Sequence, residues 1–403
     1  VSSPDVAQTQ QQSTFSIFLI FLRLGLTSFG GPVAHLGYFR AELVARRRWL
    51  TESSYADLVA LCQFLPGPAS SQVGLALGLS RGGYRGAMAA WAGFTMPSAI
   101  ALILFALGLS SHPEAVPPGL LYGMKVVAVA VVAQAVWGMA QKLCPDRQRV
   151  TIMALATCLT LWMPFAWGQV AVIIAAGVVG MLLFKTPEIT HREPLSLEIS
   201  KRAGLGWLGL FALLLVGLPI VAQLFPDHRI QVVDAFFRTG SLVFGGGHVV
   251  LPLLQAEVVH PGWINNETFL AGYGAAQAVP GPLFTFSAFL GAAMNEPAGW
   301  LGGMMCLLAI FAPSFMLIAG ALPFWELLRR NAHAQSALTG INSAVVGLLL
   351  AALYQPVWTS AIHGPQDFAL ALVAFVALLF WKLPPWLVVG GSGIAGWFMT
   401  LNG

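Results

Sequence analysis

Thirteen apolar runs punctuate the chain, at residues 15–44, 54–79, 86–109, 119–139, 150–165, 168–184, 204–224, 230–259, 267–294, 299–323, 337–354, 368–381 and 385–401. A membrane helix needs about 20 residues to cross the hydrocarbon core. The first two runs and the eighth and ninth are longer than that, and each is interrupted: by Gly30-Gly31-Pro32, Pro66-Gly67-Pro68, Gly245-Gly246-Gly247 and Pro280-Gly281-Pro282. Gly and Pro break a helix, and the freed backbone survives at membrane depth only where it is buried in protein or lines a cavity.

The interruptions occur in two sets. Arg23-x5-Phe29-Gly30-Gly31 and Gln63-x2-Pro66-Gly67-Pro68 recur as Arg238-x5-Phe244-Gly245-Gly246 and Gln277-x2-Pro280-Gly281-Pro282, displaced by 215 (238 − 23) and 214 (277 − 63) positions. Gly123-Met124-Lys125 matches Gly340-Ile341-Asn342, and Trp162-x-Pro164-x2-Trp167 resembles Trp381-x2-Pro384-x-Trp386. The expected organisation is a polar segment (1–14), a first repeat (15–184), a basic linker with one helix (185–229) and a second repeat (230–403). Repeats of this kind in an apolar chain point to a transporter with one site between two halves.

Basic residues set the expected topology. Arg46, Arg47 and Arg48 follow the first run, and Arg81 and Arg85 follow the second. If both loops are cytoplasmic, the run between them enters and leaves by one face, as a re-entrant hairpin. Each arm of roughly 13 residues, at about 1.5 Å per residue, reaches the midplane of a ~30 Å core. Lys142, Arg147, Arg149, Lys185, Arg192, Lys201 and Arg202 fall inside on the same count, so the single helix at 204–224 inverts the second half. The loops at 256–266 and 295–297 hold Glu257, His260 and Glu296 and no Lys or Arg, which suits the outside; Arg229 alone departs from the rule. The expected fold is an all-α polytopic membrane protein. It comprises two inverted-topology repeats, each with two broken re-entrant hairpins plus about four spanning helices, joined by one extra helix. The N-terminus is cytoplasmic and the C-terminus outside. Thirteen full crossings would give the same termini but would export Arg46–Arg48.

Composition agrees with this class: 57% of residues are hydrophobic, 9% are charged and the mean hydropathy is +0.76. A net charge of +4, spread over short loops, does not build a nucleic-acid face. Cys62, Cys144, Cys158 and Cys306 have no metal-ligand spacing, and residues 1–13 lack the basic start of a cleaved signal peptide. No cofactor or metal is expected. No hydrolase or zincin motif and no paired intramembrane carboxylates mark an enzyme.

Polar groups inside apolar runs are costly and normally face a cavity or a partner. Arg23 and Arg238 occupy equivalent positions and could hold a divalent oxyanion between them. Asp234, four residues before Arg238, offers the competing helix-face ion pair. The breaks aim helix N-termini at mid-depth, where backbone amides bind anions. Gly30, Gly31, Gly67, Gly245, Gly246 and Gly281 permit close approach there, and Ser70, Ser71, Thr285 and Ser287 add hydroxyls. Lys125 and its counterpart Asn342 complete the expected substrate set, although a Lys near a helix start also snorkels to headgroups. His35, His248, Glu42, Asp57 and Glu257 are candidates for proton or gating roles. The Trp pairs read as interface belts.

With Phe29-Gly30-Gly31-Pro32, His35, the Gln63/Pro66-Gly67-Pro68 block and their second-half echoes in place, the chain resembles the chromate ion transporter family in its long, two-domain form. Gly247-His248 departs from Pro32-Val33, which breaks strict equivalence of the first hairpins. The resemblance implies export of chromate from the cytoplasm across a bacterial inner membrane, conferring resistance, with sulfate as competitor. The lipid bilayer is an expected partner and nucleic acid is not; a homodimer is an assembly left open by the sequence, which does not fix the oligomeric state. Sulfate or another oxyanion as substrate, or an anion channel of the same fold, are the alternatives.

Overall fold

The computed structural model describes residues 12–29, 31–111, 117–163, 166–184, 200–244, 247–325, 327 and 331–401, and among these every regular element is helical. Gly30, Gly245 and Gly246 lie outside the described residues, as does most of the 185–229 linker before residue 200. Among the described residues, five helices are long and apolar enough to cross a membrane: Ala69–Ser111, Gly119–Leu143, Lys201–Leu224, Gly299–Phe324 and Ala332–Ala361.

Helix α1 (Thr14–Thr27) is capped by the Ser13 hydroxyl, which accepts from the Ser16 amide, and it ends at Ser28. The chain then returns through α2 (Gly31–Phe39) and a π-helical continuation, Arg40–Arg46. Phe21 of α1 meets Phe39 of α2 edge-on with ring centroids 5.6 Å apart, so the two arms lie side by side. Helix α3 (Glu52–Phe64) and the first part of α4 (Ala69–Ser111) flank the next break. Arg81 fixes where these arms end: its backbone carbonyl accepts from Gln12 at 3.1 Å, and its guanidinium donates to the Trp49 carbonyl. The start of α1, the start of α3 and the first bend of α4 therefore sit together. Both segments double back.

At Gly82-Gly83 the backbone of α4 leaves helical geometry. The helix folds on itself there, with Gly78 against the Gly86 carbonyl and Ala90. Helix α5 (Pro118–Leu143) follows, buried from Val126 through Val132, and α6 (Arg147–Trp162) and α7 (Ala166–Leu183) end the first half. Helix α8 (Lys201–Leu224) exposes Leu205, Leu213, Val216, Ile220 and Leu224. That surface is stable only against lipid or another apolar partner.

The second half repeats the plan. Helix α9 (His228–Leu242) pairs with α10 (Val250–Val258), and His228 touches Trp263 beyond the far arm at 4.8 Å. Helix α11 (Asn266–Ala278) pairs with α12 (Phe286–Ala293), where Phe269 meets Phe286 at 5.1 Å. Equivalent caps start the second hairpin of each half: Thr51 accepts from the Ser54 amide and Asn265 from the Thr268 amide. Each cap contributes about 1 kcal/mol and sets where the hairpin begins. Helices α13 (Gly299–Ala321), α14 (Ala332–Ala352), α15 (Pro365–Leu379) and α16 (Pro385–Leu401) complete the chain.

Close backbone contacts recur in both halves and also cross between them. Gly25 packs on the carbonyls of Gly93 and Phe94, as Gly240 packs on that of Ile310. Across the halves, Gly123 of α5 packs on Ser392 and Gly393 of α16, while Gly340 of α14 packs on Ala176 and Gly180 of α7. Each half thus packs one helix, α5 or α14, against the last helices of the other. Such reciprocal exchange is the contact pattern of a two-fold relation.

Candidate functional site

The four chain breaks meet. The Gly67 amide donates to the Val243 carbonyl at 2.6 Å, and the Gly281 amide donates to the Ser28 carbonyl at 3.0 Å. A Cβ on Gly247 would lie 3.5 Å from both Pro32 and Leu283, so residues from three breaks touch at one point. Gly67 has φ +120° and Gly281 φ +106°, backbone that other residues adopt only under strain. A Cβ at Gly67 would come within 2.6 Å of Ser314 Oγ; one at Gly281 would lie 2.8 Å from Ser98 Oγ.

A cavity of about 520 Å³ opens against this junction. Its floor is Pro32, Gly67, Ala69, Gly247 and His248; Gln63, Gln134 and Asn342 line its walls; Lys142 stands exposed on its rim. Helices α2 and α4 begin at the floor, so their unpaired N–H groups and dipoles favour an anion there. The wall amides and Lys142 add donors without burying a formal charge. Asn342 Oδ1 has no hydrogen-bond partner among the described residues.

Beneath the floor lies a layer of buried hydroxyls. Ser70 and Ser71 are buried; Ser70 Oγ lies 3.3 Å from His35 Nδ1, and Ser71 Oγ has no partner among the described residues. Ser28 Oγ, Gln72 Oε1, Ser314 Oγ and His35 Nε2 are likewise buried without one. Unpaired buried polar atoms are expensive, and their concentration at the junction marks a place built for a polar guest or water. His248 Nδ1 lies 2.9 Å from the Tyr273 hydroxyl.

The junction and cavity include Gly31's neighbour Pro32, Gly67, His248, Asn342 and, just behind, Ser70, Ser71 and Gly281. Thr285 belongs to the same region, but its hydroxyl is spent on the Pro282 carbonyl at 2.7 Å.

The arginines fall elsewhere. Arg23 is exposed on the face of α1 that carries Leu19 and Leu26, and its side chain has no partner among the described residues. Arg238 donates to Asp234 at 2.9 Å and Glu257 at 3.1 Å, beneath the Trp167 ring at 4.9 Å. Two carboxylates already engage its guanidinium, Arg238 does not line the cavity, and Trp167 packs over this pair rather than serving only an interface belt. Lys125 is paired with Glu267 at 2.8 Å and does not line the cavity. Glu42 binds Arg46 at 3.0 Å and Arg47 at 2.7 Å. Asp57 is buried in α3.

Lys142 and Gln134 at the cavity, and Ser28, Gln72 and Ser314 at the junction, are not among the site residues expected from the sequence. One signal was present: Pro97-Ser98 and Pro313-Ser314 are a further repeated pair, and each serine touches the other half's Pro-Gly-Pro turn.

The sequence profile of the chromate transporter family matches residues 15–181 and again residues 230–397. The chain belongs to that family. A probable chromate transport protein of Synechococcus elongatus is 26% identical over 93% of both chains. The chromate transport protein of Pseudomonas aeruginosa is 27% identical over 96% of this chain and 92% of its own. An uncharacterized transporter of Methanocaldococcus jannaschii is 28% identical over 84% of this chain and 83% of its own. No solved structure matches. As a chromate transporter family member the protein is a multi-pass membrane transporter and not an enzyme.

Proposed function

We propose that this protein carries chromate out of the cytoplasm by alternating access, with the dianion held on the cavity floor by helix N-termini and neutral donors. The observation that carries the reading is the meeting of all four chain breaks beside a cavity with Lys142 on its rim. A tetrahedral dianion needs several converging N–H and O–H donors, which Ala69, Gln63, Gln134, His248 and Asn342 surround.

Lys142 belongs to the basic loops assigned to the cytoplasm, so this form is open inward. The Lys125–Glu267 pair then lies toward the outside and helps to close it. The inverted relation of the halves, the re-entrant placement of their hairpins and the inner-membrane orientation are parts of the same proposal. Moving one charge through 100 mV is worth about 2.3 kcal/mol, so a departing dianion gains roughly 4.6 kcal/mol in a negative-inside cell. Export is downhill in potential.

The test is chromate uptake into inverted vesicles, with sulfate, molybdate and phosphate as competitors. Saturable uptake blocked best by sulfate supports the reading. Non-saturating flux supports a channel, and equal uptake by Gly67→Ala removes the proposed floor.

A further inference from the structure

We propose that Asp234, Arg238 and Glu257 form a proton-binding site whose occupancy is coupled to oxyanion exit. This rests on the transport reading but adds a second ligand and a second site.

Arg238 uses a single nitrogen, Nη2, for both Asp234 Oδ2 and Glu257 Oε2, and the three side chains are only 10%, 9% and 13% exposed. Trp167 lies over the guanidinium and keeps water from that face. One positive and two negative charges leave an uncompensated negative charge in a place with little water, and a proton on one carboxylate removes it. Arg238 Nε, in a residue more than nine-tenths buried, has no acceptor among the described residues. The guanidinium therefore has a spare donor while both acids compete for one nitrogen, an arrangement that accepts a change of partner.

That change has a mechanical consequence. Asp234 and Arg238 both belong to α9, whereas Glu257 belongs to α10. Glu257 as a carboxylate ties the two hairpin arms together; as a neutral acid it leaves Arg238 to Asp234 and loosens the tie. No other reactant is needed, since the proton comes from water on one side and returns to water on the other.

The neighbouring elements leave these groups to set the charge balance. On α9 the other ionisable residues are His228 and Arg229 in the first turn; His248 lies in the 3-10 turn that leads into α10, bonded to Tyr273, and His260 follows α10. Helix α7 has none, α8 has Lys201 and Arg202 in its first turn, α13 has Cys306 packed on Gly291, and α14 has His333 in its first turn.

The first half does not duplicate the site. Arg23 and Glu42 stand at the repeat positions of Arg238 and Glu257, but Leu19 replaces Asp234, Glu42 holds Arg46 and Arg47, and Arg23 is exposed. Among the described residues there is one such triad, so one proton per cycle is expected.

The experiment uses the purified full chain in proteoliposomes with an internal pH dye, the potential clamped, and alkaline buffer so that the anion does not itself carry the proton. In wild type, a chromate gradient drives protons in the opposite direction. Glu257→Gln keeps chromate-for-chromate exchange within about twofold while chromate-driven proton flux falls roughly tenfold or more, and Asp234→Asn shifts it the same way. Retained exchange also shows that each variant is folded. Glu42→Gln keeps the coupled flux. Wild type without chromate-driven proton movement overturns the proposal whatever the variants do, as does full proton flux in Glu257→Gln. Absence of exchange in wild type would instead remove the transport reading.

Discussion

The backbone amide of Gly67 donates to the carbonyl of Val243 at 2.6 Å, joining the second break of one half to the first break of the other. Its counterpart joins Gly281 to Ser28. At both glycines positive φ and the facing Ser314 or Ser98 hydroxyl leave no room for a Cβ. Gly67→Ala and Gly281→Ala should each cost about 1–3 kcal/mol in stability from backbone strain. Thermal unfolding in detergent measures that cost. Transport should fall more in Gly67→Ala, because Gly67 also lines the cavity and Gly281 does not.

Arg23 and Arg238 occupy one repeat position but should respond oppositely. Arg23→Ala should transport within about twofold of wild type, since the residue is exposed on the outer face of α1. Arg238→Ala strands Asp234 and Glu257 and should destabilise by about 3–5 kcal/mol. Side-by-side chromate uptake and melting temperatures decide this. Loss of chromate affinity in a well-folded Arg23→Ala would return the substrate to the arginines.

That contrast shows how far the sequence could be read. The interruptions, their spacing and the helical class were legible because Gly and Pro act locally on the backbone. The fate of Arg23 was not, because the repeat pattern is symmetric while the packing is not. Leu19 and Leu26, spaced to share a face with Arg23, hinted that this face looks outward. Asp234 likewise foretold the ion pair at Arg238, but Glu257 joins it only through tertiary folding. Lys142 escaped notice because a loop lysine signals topology first. Ser28 and Ser314 become neighbours of the opposite half's turns only once the two halves interlock.

Lys142 is exposed on the cavity rim, so its contribution should be long-range attraction rather than a fixed contact. Lys142→Ala should raise the apparent KM for chromate by about threefold to tenfold at low salt, with the difference shrinking as ionic strength rises. Initial rates in inverted vesicles at two salt concentrations check it. A salt-independent defect would mean direct coordination.

The proposed topology makes opposite faces reactive. Cysteines replacing Arg47 and Arg85 should be labelled by an impermeant thiol reagent only from the cytoplasmic side, and one replacing His260 only from outside; all three positions are exposed. Labelling of Arg47→Cys from outside would mean that the first segment crosses the membrane.

The central claim is that the anion sits where the chain breaks meet. Crystals grown with chromate and measured at the chromium absorption edge locate the metal atom directly. One anomalous peak is expected at the cavity floor, among Gly67, Ala69 and His248 and facing Asn342 on the wall. A peak beside Arg23 or Arg238, or none there in protein that binds chromate saturably, would contradict it.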